Sequence, residues 1–154
     1  MSVWVQSATA ADGEAIRALL AESALPLEDL KTAPVRFWVA RDADQIIGAV
    51  GLERYGASSL LRSLVVPATH QRRGLGQELV AFLERESRAA GVELLVLLTQ
   101  TAESYFQRLG YAIVDRAYLP DEIKQSAEFR SLCPASAVCM SKSLRPSSVG
   151  ADHG

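Results

Sequence analysis

In an extended chain Val3 and Val5 point one way and Trp4 and Gln6 the other, so the period-two pattern predicts a short strand over 3–7. Asp12 stands where a helix N-cap belongs, and Ile16, Leu19 and Leu20 follow at helical spacing. Pro26 ends that helix, and the stretch from Leu25 to Leu30 suits the start of a second short one. Residues 37–41 read as a strand, Asp42-Ala43-Asp44-Gln45 as a turn, and 46–53 as the returning strand of a hairpin. A second turn at 55–58 leads into 60–66, an apolar strand interrupted by Arg62 and Ser63 and closed by Pro67.

The clearest helix is 76–90, where Leu79, Val80, Leu83 and Ala90 share a side and Gly91 occupies the position after the helix that glycine favours. Residues 94–98 are continuously apolar, as befits a strand covered on both faces. Thr101 is placed to cap a short helix running to Leu109 and closed by Gly110. Residues 111–116 form a further strand, 121–132 a helix after Pro120, and 137–143 a last strand. The strand–helix–strand run from 60 to 98 is a βαβ unit, with parallel strands and a right-handed crossover. The hairpin before it makes the sheet mixed, so the predicted class is α+β with helices on both faces.

Length and charge narrow the picture. A chain of 154 residues suits one domain, placed at 2–144, and the closing Arg-Pro-Ser-Ser-Val-Gly-Ala-Asp-His-Gly, 145–154, reads as a flexible tail. Sixteen Lys and Arg against eighteen Asp and Glu give a net charge of -2, which argues against a nucleic-acid partner. No apolar run approaches the roughly 20 residues of a membrane helix. The first ten residues lack the basic and then apolar pattern of a secretion signal. Cys133 and Cys139 are too few for a disulfide framework, and two histidines too few for a His-rich metal site. The expected setting is therefore cytoplasmic, with no membrane and no metal.

The chemistry concentrates between the strand ending at Val66 and the long helix, where the chain reads Gln71-Arg72-Arg73-Gly74-Leu75-Gly76. Helix N-termini present unpaired N–H groups and a positive dipole end, glycines allow close approach, and arginines add charge, so the loop suits a phosphate. It lacks the Lys-Ser/Thr of an NTPase loop and the spacing of a dinucleotide fingerprint. A sharp turn carrying two solvated arginines is the competing role.

Gln/Arg-x-x-Gly-x-Gly after Leu64-x-Val66, opening a long helix, resembles the Gcn5-related N-acetyltransferase superfamily. Ala102 followed by Tyr105-Phe106-Gln107-Arg108-Leu109-Gly110-Tyr111 is similar to that superfamily's Ala-x-x-x-Tyr-x-x-x-Gly-Phe segment. The likeness spans about 3–144 and implies a mixed, splayed β-sheet of about six to seven strands. More narrowly, the segments at 25–30, 51–53, 61–64, 97–99 and 133–137 resemble the arsenic-resistance N-acetyltransferase branch, whose members resemble enzymes acting on phosphinothricin-like amino acids.

The resemblance implies acetyl-CoA as acyl donor, its pantetheine amides bonded by the backbone of Leu64, Val65 and Val66, whose N–H groups also polarise the thioester carbonyl. Arg72, Arg73, Gly74, Leu75, Gly76 and Gln77 would line the diphosphate. Two positions depart from the family pattern. The usual general-acid Tyr, four residues before the glycine, is Phe106, which cannot give a proton; Tyr105 is one position earlier, rotated about 100° around the helix. Thr99 replaces the customary Asn, giving a hydroxyl in place of an amide. Both stay among the cofactor-binding residues.

Tyr105 is therefore the candidate acid, with a half-buried packing aromatic as its competing role. Glu53 and Glu28 are the carboxylates available to deprotonate the amine, directly or through water, unless they are plain solvated side chains. Glu53 is assigned to catalysis and Glu28, with Arg62, to the substrate. Arg62 breaks an apolar strand, so it must reach solvent or pair, either with a structural partner such as Glu53 on the neighbouring strand or with an anionic group of the acceptor. The cysteines are expected to be structural, His70 a surface residue, and Trp4 and Trp38 core. The resulting function is acetyl transfer to the primary amine of a small, amino-acid-like acceptor of arsenic or phosphinothricin type. Polyamine, antibiotic or protein N-terminal amines are the alternative acceptors, a non-catalytic acetyl-CoA sensor the alternative class, and a homodimer fits either.

Overall fold

The computed structural model describes residues 3–23, 35–67, 74–126, 129 and 136–145. Its strands are β1 Val3–Ser7, β2 Val35–Asp42, β3 Gln45–Tyr55, β4 Ser58–Val65, β5 Leu94–Thr99, β6 Ala112–Ile113 and β7 Val138–Ser143. They form one sheet in the order β1-β2-β3-β4-β5-β7-β6. Every neighbouring pair is antiparallel except β4 and β5, the parallel pair that the intervening helix requires. The helices are α1 Gly13–Glu22, α2 Leu75–Ala89, α3 Glu103–Arg108 and α4 Asp121–Lys124.

Side-chain alternation along the strands builds a core on each face. Trp38, Ala40, Val50, Leu52 and Leu61 face α2, which buries Leu75, Leu79, Val80 and Leu83 against them. Their neighbours Val39, Ala49 and Val65 face the other way, onto Ile16 and Leu20 of α1. Leu60, Val96 and Cys139 share that second face and pack on Leu119 and Ile123. Each such leucine or isoleucine contributes about 1.5–3 kcal/mol by leaving water. The mixed sheet with helices on both faces is thus as the sequence predicts.

Several elements differ from their predicted form. α2 starts one residue early, because Gly74 with φ 75° acts as the N-cap, while Gly91 with φ 91° does close the helix. The strand expected over 111–116 pairs only at Ala112 and Ile113. Tyr111 turns inward, and Asp115 accepts the Ala117 N–H to start a 3-10 turn at Arg116–Tyr118. Of the helix expected over 121–132, Asp121–Lys124 forms one turn and Phe129 is again helical, while 127–128 and 130–132 lie outside the described residues. Trp4 is not core: β1 is an edge strand and leaves Trp4 43% exposed, its indole N–H bonded to Gln6. Asp12 does not cap α1 through its side chain, which instead accepts from Thr9 and Arg41. Thr101 does not cap α3, whose N-cap is Ala102; the Thr99 hydroxyl accepts the Ala102 N–H at 3.0 Å just before the helix.

Candidate active site

β4 and β5 stay paired over only three residues each, Ser58 to Leu60 against Leu94 to Val96. Beyond that point β4 continues along β3 to Val65 and β5 along β7 to Thr99, so the sheet parts in its middle. β4 also carries a bulge. Gly51 faces Arg62 and Ala49 faces Val65, which sets Val50 against two residues, Ser63 and Leu64. Ser63 has φ 60°, in the left-handed region. Such a bulge sharpens local twist and re-aims the backbone beyond it.

The opening meets the start of α2. The Glu78 N–H makes the first helical bond, to the Gly74 carbonyl at 3.0 Å, which leaves the N–H groups of Leu75, Gly76 and Gln77 directed out of the helix end. They border a cavity of ≈ 740 Å³ whose walls include Leu64, Val66, Tyr105 and Arg108. A smaller cavity of ≈ 200 Å³ lies inside the parted strands, walled by Arg62, Ser63, Leu97, Thr99 and Phe106 among others. The two share Leu64, Thr101, Ala102 and Tyr105, so Tyr105 stands at their junction.

The Tyr105 hydroxyl lies 2.5 Å from where a Cβ on Gly76 would stand, so the helix end has room for this ring only because residue 76 is glycine. Burial pushes the Tyr105 phenol above its ordinary pKa, and the nearby Arg108 cation pulls the other way. Arg108 stacks 5.9 Å from the Tyr105 ring and Phe106 meets that ring edge-on at 5.3 Å. Phe106 is buried against Tyr111, which donates to Glu84; Lys142 holds Glu84 and also donates to the Leu109 carbonyl at the end of α3.

Arg62 and Glu53 meet on adjacent strands. Arg62 Nη1 donates to Glu53 Oε1 at 3.1 Å, and Tyr55 donates to the other carboxylate oxygen. Glu53 is 2% exposed and lines neither cavity, so it is not an open, solvated base; it is the structural partner of Arg62. Arg62 nevertheless forms part of the smaller cavity's wall. Val65 turns its side chain away, onto Ile16 and Leu20, leaving only its backbone for the opening. Glu28, Arg72, Arg73, His70 and Cys133 lie outside the described residues. Cys139 is buried in β7, and that burial pushes its thiol up to about 11, so it is neutral and unreactive near pH 7. Ser63 and Arg108 join the site in the structure without being among the candidates the sequence offers. Arg108 follows Tyr105 by three positions and so shares its helix face, a signal that was available.

A free strand edge, a helix N-terminus and a cation fit a ligand with an amide-bearing arm and a phosphate head. Coenzyme A has that form, and the residues present suit it. Among the described residues no group of three or more His, Cys, Asp or Glu could hold a metal ion, and no helix is long and apolar enough to cross a membrane.

Comparison with known proteins agrees with this geometry. A family model described as an acetyltransferase (GNAT) domain matches residues 33–113. An uncharacterized N-acetyltransferase of Chlorobaculum tepidum is 29% identical over 104 residues, 67% of this chain and 64% of its own length. Among solved structures, N-acetylglutamate synthase from Neisseria gonorrhoeae, complexed with coenzyme A and N-acetyl-glutamate, superposes with a TM-score of 0.81 at 19% identity. That match covers 95% of this chain and 36% of the synthase. The ribosomal-protein-S18-alanine N-acetyltransferase of Escherichia coli superposes with a TM-score of 0.73 at 16% identity, over 95% of this chain and 96% of that one.

Proposed function

The chain belongs to the GNAT acetyltransferase family, and from that premise we propose that it transfers an acetyl group from acetyl-CoA to the primary amine of a small, amino-acid-like acceptor. The observation that carries the reading is the parting of β4 from β5, continuous with the N-terminus of α2. Acetyl-CoA supplies the activated acetyl group as a thioester. The N–H groups of Leu75, Gly76 and Gln77, with Arg108, Arg72 and Arg73, bind its diphosphate. The backbone of Leu64, Val65 and Val66 takes its pantetheine amides as a neighbouring strand would and directs an N–H at the carbonyl. Thr99 and Phe106 wall the inner end. Tyr105 keeps its proton through the neutral range and serves as the acid.

The acceptor enters the smaller cavity, where the charge of Arg62, buried behind the wall and paired with Glu53, favours an anionic group, with Glu28 as a further contact. An arsenic- or phosphinothricin-type amino acid meets these needs, supported by the short segments shared with that branch and by the Arg62 wall. Thiol release with acetyl-CoA and a panel of amines tests the reading. Release with phosphinothricin and other α-amino acids, well above that with polyamines or aminoglycosides, is expected. Acetyl-CoA binding without release on any amine would instead favour a sensor.

A further inference from the structure

Ser63 occupies backbone space that glycine fills without strain. Its φ is 60°, at the centre of the sheet, where the bulge opposite Val50 sends one residue into the left-handed region. A side chain there carries a conformational cost, and such strain collects where function needs it. Ser63 is 8% exposed, so its side chain is not set in open solvent. Its hydroxyl meets Arg62, whose Nε donates to Ser63 Oγ at 3.2 Å. Accepting that bond leaves the hydroxyl proton to point elsewhere, and among the described residues it reaches no acceptor. Ser63 and Arg62 both wall the smaller cavity. We propose that Ser63 is a specificity-determining residue of the acceptor site, its hydroxyl, held from behind by Arg62 Nε, donating to the α-carboxylate of the acceptor. This rests on the acceptor class proposed above. The bulge fixes the backbone and the ligand uses the side chain, which gives serine a role at a position where glycine would relax.

Two variants divide strain from contact. Ser63→Gly removes the hydroxyl and relaxes the backbone; Ser63→Ala removes the hydroxyl and keeps the strain. The acceptors are phosphinothricin and 3-aminopropyl(methyl)phosphinic acid, which lacks the α-carboxylate. In Ser63→Gly the phosphinothricin KM is expected to rise about tenfold or more, as for a lost bond to a charged group. The KM values for the decarboxylated amine and for acetyl-CoA should stay within about twofold, which isolates the carboxylate contact. Ser63→Gly should melt at or above the unmodified protein, and Ser63→Ala below Ser63→Gly with the same KM defect. An unchanged phosphinothricin KM in both variants, or all KM values rising together, overturns the role of Ser63 and leaves the acceptor class standing. If the unmodified enzyme acetylates other amines but no α-amino acid, the acceptor class fails and takes this assignment with it.

Discussion

The Arg62 guanidinium is wholly shielded from water and sits 3.1 Å from a Glu53 carboxylate that is nearly so. Removing one charge leaves the other unsolvated, so Arg62→Met is expected to cost about 3–5 kcal/mol in urea denaturation, and adding Glu53→Leu to recover most of it. A loss in the single variant below about 1 kcal/mol would mean that water reaches the pair. At the junction of the two cavities, Tyr105→Phe should lower kcat by roughly 10²-fold with acetyl-CoA KM little changed. The Tyr105 phenol is raised by burial above 10.0, so the neutral, proton-giving form lasts to higher pH than for a free tyrosine. The kcat profile should therefore show no loss from Tyr105 below about pH 10. An effect of less than twofold in Tyr105→Phe would pass the proton to water or another group. Arg62 announced itself in the sequence as a charge inside an apolar strand, and the need for a partner pointed to Glu53. Ser63 did not, because serine carries no sign of a left-handed backbone; only the pairing register of β3 and β4 reveals it.

At the scale of the element, the first turn of α2 is the part most exposed to test. Gly76→Asp sets a carboxylate beside the N–H groups proposed to hold the diphosphate and a Cβ 2.5 Å from the Tyr105 hydroxyl. Acetyl-CoA affinity should fall by more than about tenfold, or 1.4 kcal/mol, by calorimetry, with the fold retained. Gly76→Ala keeps the clash without the charge and should fall between. Helix α1 is fastened at its start by Asp12, which accepts from Thr9 and Arg41. The Thr9 backbone bond first, then Arg41, hold the Asp12 carboxyl below its usual 3.8. A depressed pKa stabilises the fold above the unfolded value and loses that contribution as pH falls through the folded one. Asp12→Asn should thus lower Tm at pH 7, and the gap should close below about pH 3.8; a gap that persists in acid would point to packing. Apolar periodicity made β1 to β5 and α2 legible to within a few residues. It overran at 111–116 because Asp115 imposes a turn that local hydrogen bonds decide, whatever the apolar pattern.

For the whole molecule, the order of elements and the mixed sheet could be read from the chain, since a parallel pair follows from any strand–helix–strand unit. That β7 inserts between β5 and β6 could not, because periodicity records which face a side chain takes and not which strand lies beside it. The parting of β4 from β5 has a mechanical side as well. It leaves two leaves, β1 to β4 and β5 with β7 and β6, stitched across the sheet by a three-residue ladder and clamped by α2. Such a seam is where a protein opens locally at least cost. Amide protons from Leu61 to Leu64 that face the gap should exchange faster than those of Leu95 to Leu97, which are locked to β7. A cofactor arm laid in the gap bridges both leaves, so saturating coenzyme A should slow that exchange selectively and raise Tm. Uniform protection with and without coenzyme A would show the leaves to be rigidly joined. With the seam open to attack when empty and sewn when filled, the lifetime of this chain against proteases should follow the supply of coenzyme A.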